Sequence, residues 1–229
     1  RWAGEPPLPF AERTMLHTLP RRLALPFAAL LLSAVTLTQP GCWFAATAFG
    51  GEKTYRVDAR YTGLENRSVA VLVAADEYLL FTQPRAPQLI GQAVSNEIAS
   101  NVEGVTVANP RQVAAFQARN PYWSTTPYAE LIEQLDVDRL VVVDLAEYRL
   151  HDPGNKHVWR GVIAAGVVVA EADRPDPDQL AFEASVRAQF PENREVGVVN
   201  ADRETIELAT LKLFAVEVGR LFYDHEVRR

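Results

Sequence analysis

Residues 68–75 read SVAVLVAA. A run this short, continuous and rich in β-branched residues fits a strand buried on both faces. The next stretch, QPRAPQLIGQAVSNEIASNVEG (83–104), predicts a helix. Pro87 suits its first turn and Gly104 the position just past its end. Between them Ile90, Val94, Ile98 and Val102 recur every fourth residue, with Leu89 and Ala93 beside them. VTVA (105–108) then reads as a second, shorter strand. A strand-helix-strand unit at this spacing implies parallel pairing.

Downstream, NPRQVAAFQARNP opens with an Asn109 cap and Pro110 and closes at Asn120-Pro121. Thr126-Pro127 starts another helix carrying Leu131, Ile132 and Leu135. The second half changes character. RLVVVDLAEYRL (139–150) is a strand, DPGN (152–155) a turn, and HVWRGVIAAGVVVAEA (157–172) a long returning strand. Gly161 and Gly166 in it mark bulges or points of close packing. LAFEASVRAQF (180–190) alternates, with Leu180, Phe182, Ala184, Val186, Ala188 and Phe190 on one face and Glu183, Ser185, Arg187 and Gln189 on the other. That is a half-buried antiparallel strand with one wet face. Asp202–Tyr223 reads as a helix, apolar around most of its circumference, whose polar stripe comprises Glu207, Thr210, Glu217, Arg220 and Asp224. The expected order is β-α-β-α-α-β-β-β-α, an α/β (α+β) fold in which a mixed sheet carries helices packed against it.

Upstream, the only methionine is Met15 and the only cysteine Cys42. Residues 1–14 read as an extension ahead of the start. From Met15, Arg21 and Arg22 precede the apolar stretch Leu23–Leu37, and no acidic residue occurs between Glu12 and Glu52. Residues 15–41 thus have the layout of a secretory signal. The run is short of the roughly 20 apolar residues a membrane span needs. Cys42 follows Gly41 at the boundary of the apolar segment, as in bacterial lipoprotein signals, although Gln39 and Pro40 depart from the usual lipobox. The expected modification is a diacylglycerol and acyl group on Cys42, anchoring the chain to a membrane. Residues 42–66 read as a tether, with a short strand within Thr54–Tyr61, and residues 67–229 as one domain.

The chain has 229 residues, a formal net charge of −6 and 48% hydrophobic residues. The charge is mixed along its length, without a basic block, so there is no electrostatic footprint for nucleic acid. One cysteine excludes disulfide scaffolds and multi-cysteine zinc sites. No G-x-S-x-G, Walker, H-E-x-x-H or Rossmann motif occurs, and no catalytic residue or cofactor is expected. His151 and His157 flank the DPGN turn and, with Asp152 of the turn itself, are the metal candidates, set against a reading as ordinary hairpin-end polar residues. Asp144 and Glu147 lie three apart on a strand, on opposite faces unless a bulge intervenes. Asp136 and Asp138, where that strand begins, read as caps or turn residues, and His225 as part of a frayed C-terminus. For protein contacts, NPYWSTTPY (120–128) offers Tyr122, Trp123 and Tyr128, as a contact patch or as cover for the sheet. YLLFTQPRAP (78–87), more loop than helix, offers Leu79, Leu80 and Phe81.

Cys42, VAVLVAA, EIASNVEGVTVANPRQV, LIEQLDVDRLVVVDLAEYRL and LATLKLFAVEVGRLFYD, in that order, resemble the envelope lipoproteins built on the fold of the curli secretion lipoprotein, the Pel polysaccharide export lipoprotein and the amino-terminal domain of the Tol-system propeller protein. The resemblance covers about residues 68–223 and rests on element order and hydrophobic texture; DVDRLVVVDL lacks the glycine usual in that family's strand. It implies a non-enzymatic role in export, transport or envelope assembly, often as a homo-oligomer. The expected protein is a periplasmic domain, lipid-anchored to the inner or outer membrane, acting on an envelope protein partner. The competing readings are a secreted hydrolase or metal-dependent enzyme and a small-ligand or lipid carrier.

Overall fold

A computed structural model describes residues 54–155, 157–193, 198 and 201–228. Cys42, the signal-like segment 15–41 and the extension 1–14 lie outside the described residues. The elements are β1 (Thr54–Val57), β2 (Ser68–Ala75), α1 (Glu77–Thr82), α2 (Ala86–Asn101), β3 (Thr106–Val107) and α3 (Pro110–Arg119). They continue as a 3₁₀ turn (Trp123–Thr125), α4 (Tyr128–Leu135), β4 (Arg139–His151), β5 (Trp159–Glu171), β6 (Phe182–Phe190), α5 (Arg203–Gly219) and β7 (His225–Arg228). Among the described residues no helix is long and apolar enough to cross a membrane.

Five strands form one mixed sheet in the order β3-β2-β4-β5-β6. β2 pairs in parallel with both β3 and β4, and β4-β5-β6 is an antiparallel meander. This topology fixes the helix layers. The chain leaves β2 toward β3 on one side and then returns past it to β4 on the other. Parallel crossovers are right-handed, so the two connections must lie on opposite faces. Accordingly, α2 packs with α5 on one core, with Val71, Val73, Val141, Val143, Ile163 and Phe214. Val113 of α3 and Leu131 and Ile132 of α4 pack on the other, over Ala70, Leu72, Leu140 and Val142. SVAVLVAA is continuous in apolar residues because both of its faces are dry; each fully buried Val or Leu contributes about 1.5–3 kcal/mol.

Local signals set the boundaries. Asn109 caps α3 by accepting from Arg111 N–H, and Asp202 caps α5 by accepting from Thr205 N–H. Asp136 ends α4 with φ +52°. Asp138 accepts from Ser68 N–H and Oγ at 2.8 and 2.7 Å, joining the starts of β2 and β4. These hydrogen bonds hold its carboxyl below the ordinary range.

Several details differ from the sequence expectation. Glu77–Thr82 is a helix, not a loop: Asp76 caps it by accepting from Leu79 N–H at 2.7 Å. His225 is not frayed but begins β7, which pairs antiparallel with β1, Val57 against His225. Within the stretch read as a tether, Leu64 is fully buried and β1 begins at Thr54. Gly161 is a close-packing point, because a Cβ there would fall 1.8 Å from Thr210 Oγ1, whereas one on Gly166 would meet nothing nearer than 4.0 Å. Thr210 is buried and donates to Ile206 O, so it does not belong to a solvent stripe. Of the two register shifts, the first puts its extra residue on β4, between Leu145 and Glu147, and the second puts its extra residue on β5, between Trp159 and Val162, beside Gly161.

Candidate functional site

In open sheets with parallel strands, the crevice for a ligand or partner forms outside the carboxyl ends of the strands, where successive crossovers diverge. Here that point is the end of β2. A cavity of about 750 Å³ lies there, within the size range of specific binding clefts. Its floor is β2, from Val71 to Ala75. One wall is α2 with Gln88 and Gly91, and the other is α3 with Ala114, Gln117 and Ala118. Leu80, Trp123 and Ser124 border it, and its charged groups are Asp76 and Asp144.

The interaction candidates divide around this cavity. Leu79 is 7% exposed and belongs to the first core, which removes it from the contact surface. The six-residue helix α1 turns Leu79 inward and leaves Phe81 86% exposed, with Tyr78 and Leu80 also exposed. Tyr122 is 80% exposed. Trp123 and Tyr128 are partly buried and pack against the second core, so they cover the sheet, and Trp123 also borders the cavity. The Tyr128 phenol is raised by burial and, secondarily, by the negative charges of Asp144 and Asp178.

The histidine candidates are dispersed by their partners. His151 stacks on Trp159, with ring centroids 4.1 Å apart, and its Nδ1 lies 3.2 Å from Val158 O. Both Asp152 oxygens accept from guanidinium groups, Arg149 and Arg160, each at 2.6 Å. His157 is exposed. Among the described residues no group of three or more His, Cys, Asp or Glu side chains is placed to hold a metal ion.

The bulge after Leu145 has a further effect. Leu145 and Tyr148 both face the first core, so Asp144 and Glu147 share the opposite face. Glu147 is engaged there by Arg149 at 2.5 Å and by Arg187. Burial pushes its carboxyl up, but the two guanidiniums outweigh that and hold it below the ordinary range. Tyr148, on the dry side, donates to Glu207 of α5 at 2.7 Å.

Sequence reasoning singled out Leu80 of these bordering residues but not Asp76, Gln88, Gly91, Ala114 or Gln117. One signal was present: an eight-residue strand beside a far shorter one leaves part of its edge without a strand.

No family model matches the chain, and no curated protein matches it. Among solved structures, it is similar to a PelC dodecamer subunit from Paraburkholderia phytofirmans, at 9% identity over 75% of this chain and 97% of that one, with a TM-score of 0.45. It is also similar to the lipoprotein GNA1162 from Neisseria meningitidis, at 12% identity over 62% of this chain and 91% of that one, with a TM-score of 0.36. Similarity this loose carries no function across.

Proposed function

We propose that this is a non-enzymatic, lipid-anchored protein of the bacterial envelope, on the periplasmic side, that assists assembly, secretion or transport by holding another protein. One observation carries the docking part of the reading. Tyr78, Phe81 and Tyr122 are exposed, while Leu80 and Trp123, their neighbours in sequence, border the cavity at the end of β2. Exposed aromatic residues beside a partly apolar cleft are the composition of a contact surface. The anchoring part rests on Cys42, whose position at the end of an apolar, acid-free segment suits acylation.

Fractionation and crosslinking test the two parts separately. With Cys42 acylated, the protein partitions into detergent, and Cys42→Ala releases it into the soluble fraction; retention of the variant on membranes overturns the anchor. A photocrosslinking residue at Phe81 or Tyr122 captures a discrete envelope protein in intact cells, whereas one at exposed Glu183 does not. Equal capture from all three positions overturns the docking surface.

A further inference from the structure

Strand β2 has eight residues, while β3, its neighbour on the outer side, has two. Their register runs from Ser68–Thr106 to Val69–Val107 and goes no further. Beyond it the main-chain groups of β2 still point outward. Ala108 N–H donates to Val69 O on that side, and strand geometry repeats every two residues. The N–H and C=O groups of Val71, Val73 and Ala75 therefore face the same way, into the slot between α2 and α3. At one of them a side chain acts as a substitute strand: the Gln117 amide donates to Val73 O at 3.0 Å.

The slot has the features of a site for one more strand. Its walls carry small side chains, Gly91, Ala114 and Ala118. Its floor from Val71 to Ala75 is about 13 Å long at strand spacing. Its lining includes no Lys, Arg or His among the described residues, and both of its charges are carboxylates. They stand at the end toward which β2 runs: Asp144 is opposite Ala74 in the ladder, and Asp76 follows Ala75.

We infer that this slot takes an extended peptide segment of the partner protein, alternating apolar with Lys or Arg residues, which adds to the edge of β2. Main-chain hydrogen bonds to Val71, Val73 and Ala75 supply affinity, as in other cases of strand addition. The segment displaces the Gln117 amide from Val73 O and brings a basic side chain to Asp76 and Asp144. This inference rests on the protein-docking reading and gives the partner its chemistry.

The test uses the purified full chain and the peptide acetyl-Val-Lys-Val-Lys-amide, with hydrogen exchange followed at individual amides. Bound peptide slows exchange at the Val71 and Val73 N–H groups. Ala114→Trp, which fills the slot, abolishes the protection. Asp144→Asn weakens binding about two- to fivefold, the range of an exposed charge pair. A peptide methylated on alternate main-chain nitrogens does not bind. No protection of Val71 and Val73, or equal protection by the methylated peptide, overturns strand addition without relying on any variant. Equal protection by acetyl-Val-Glu-Val-Glu-amide overturns the charge assignment. If these arms fail while crosslinks from Phe81 and Tyr122 still capture a partner, docking stands and only the slot is lost; if the crosslinks fail too, both are lost.

Discussion

Strand β4 passes through two environments, and its sequence changes character between them. From Leu140 to Val143 it is central and covered on both sides: Val141 and Val143 face α2 and α5, while Leu140 and Val142 face α3 and α4. From Asp144, which is exposed, onward only one face stays dry. Tyr148 and Leu150 are buried, but Glu147, Arg149 and His151 face away from α5 and engage Arg187, Asp152 and Trp159. The same strand, with the same partner β5, is a continuous apolar run in one half and an alternating one in the other. What a strand's residues have to be follows from what lies over each face, not from the strand itself.

Substitutions that probe each half should separate them by size of effect. The largest is expected in the doubly covered half. Leu140 is fully buried among Leu72, Val113 and Leu131, so Leu140→Ala loses its transfer free energy and leaves a cavity. The expected destabilisation is about 2–5 kcal/mol, read from urea unfolding. A loss below about 1 kcal/mol would show that α3 and α4 cover this face only loosely. Next is the dry side of the meander, where Gly161 meets Thr210. Gly161→Ala drives a methyl group into a buried threonine whose hydroxyl is already committed to Ile206 O. Overpacking of this kind costs about 1–3 kcal/mol, and Thr210→Ala in the same chain should recover part of it.

Asp138 gives a smaller effect with a diagnostic pH dependence. Its carboxyl is depressed by the Ser68 N–H and hydroxyl. Its contribution is therefore full above the unfolded aspartate value of about 3.9 and lost as pH falls through the lower folded value. Asp138→Asn should be less stable at pH 7 by about 0.5–1.5 kcal/mol, the worth of a hydrogen bond, and the difference should shrink below pH 4. A difference constant with pH would mean that the charge contributes nothing where β2 and β4 begin.

The division between the halves was largely legible in the sequence. SVAVLVAA, the four-residue spacing from Ile90 to Val102, and the alternation from Phe182 to Phe190 each state their burial directly. What was not legible depends on partners distant in sequence or on elements too short for a period. Helix α1 has six residues, too few for spacing to show that Leu79 turns inward and Phe81 outward. The pairing of β1 with β7 joins Arg56 to Asp224 across nearly the whole described chain, and neither strand has an apolar run to announce it. The bulge in β4 falls in LAEYR, where no glycine or proline marks it. It alone decides that Asp144 and Glu147 share a face. At the candidate site, the aromatics of NPYWSTTPY were visible as a group, but the cavity needed the topology, because its floor and walls come from three separate elements.

The smallest expected effect completes the contrast within β4 and its neighbours. Arg187 lies on the wet face of β6 and is exposed, reaching Glu147 across Ala164 of β5. Glu147 keeps Arg149 when Arg187 is removed, so no carboxylate is stranded. Arg187→Ala should therefore cost about 0–1 kcal/mol, the range of solvent-exposed ion pairs, and salt at high concentration should reduce the cost further by screening. If instead the loss matched that of Leu140→Ala and did not respond to salt, this face would have to be covered in the folded protein. The exposed residues Ser185 and Arg187 would then form part of a second contact surface, separate from the slot beside β2.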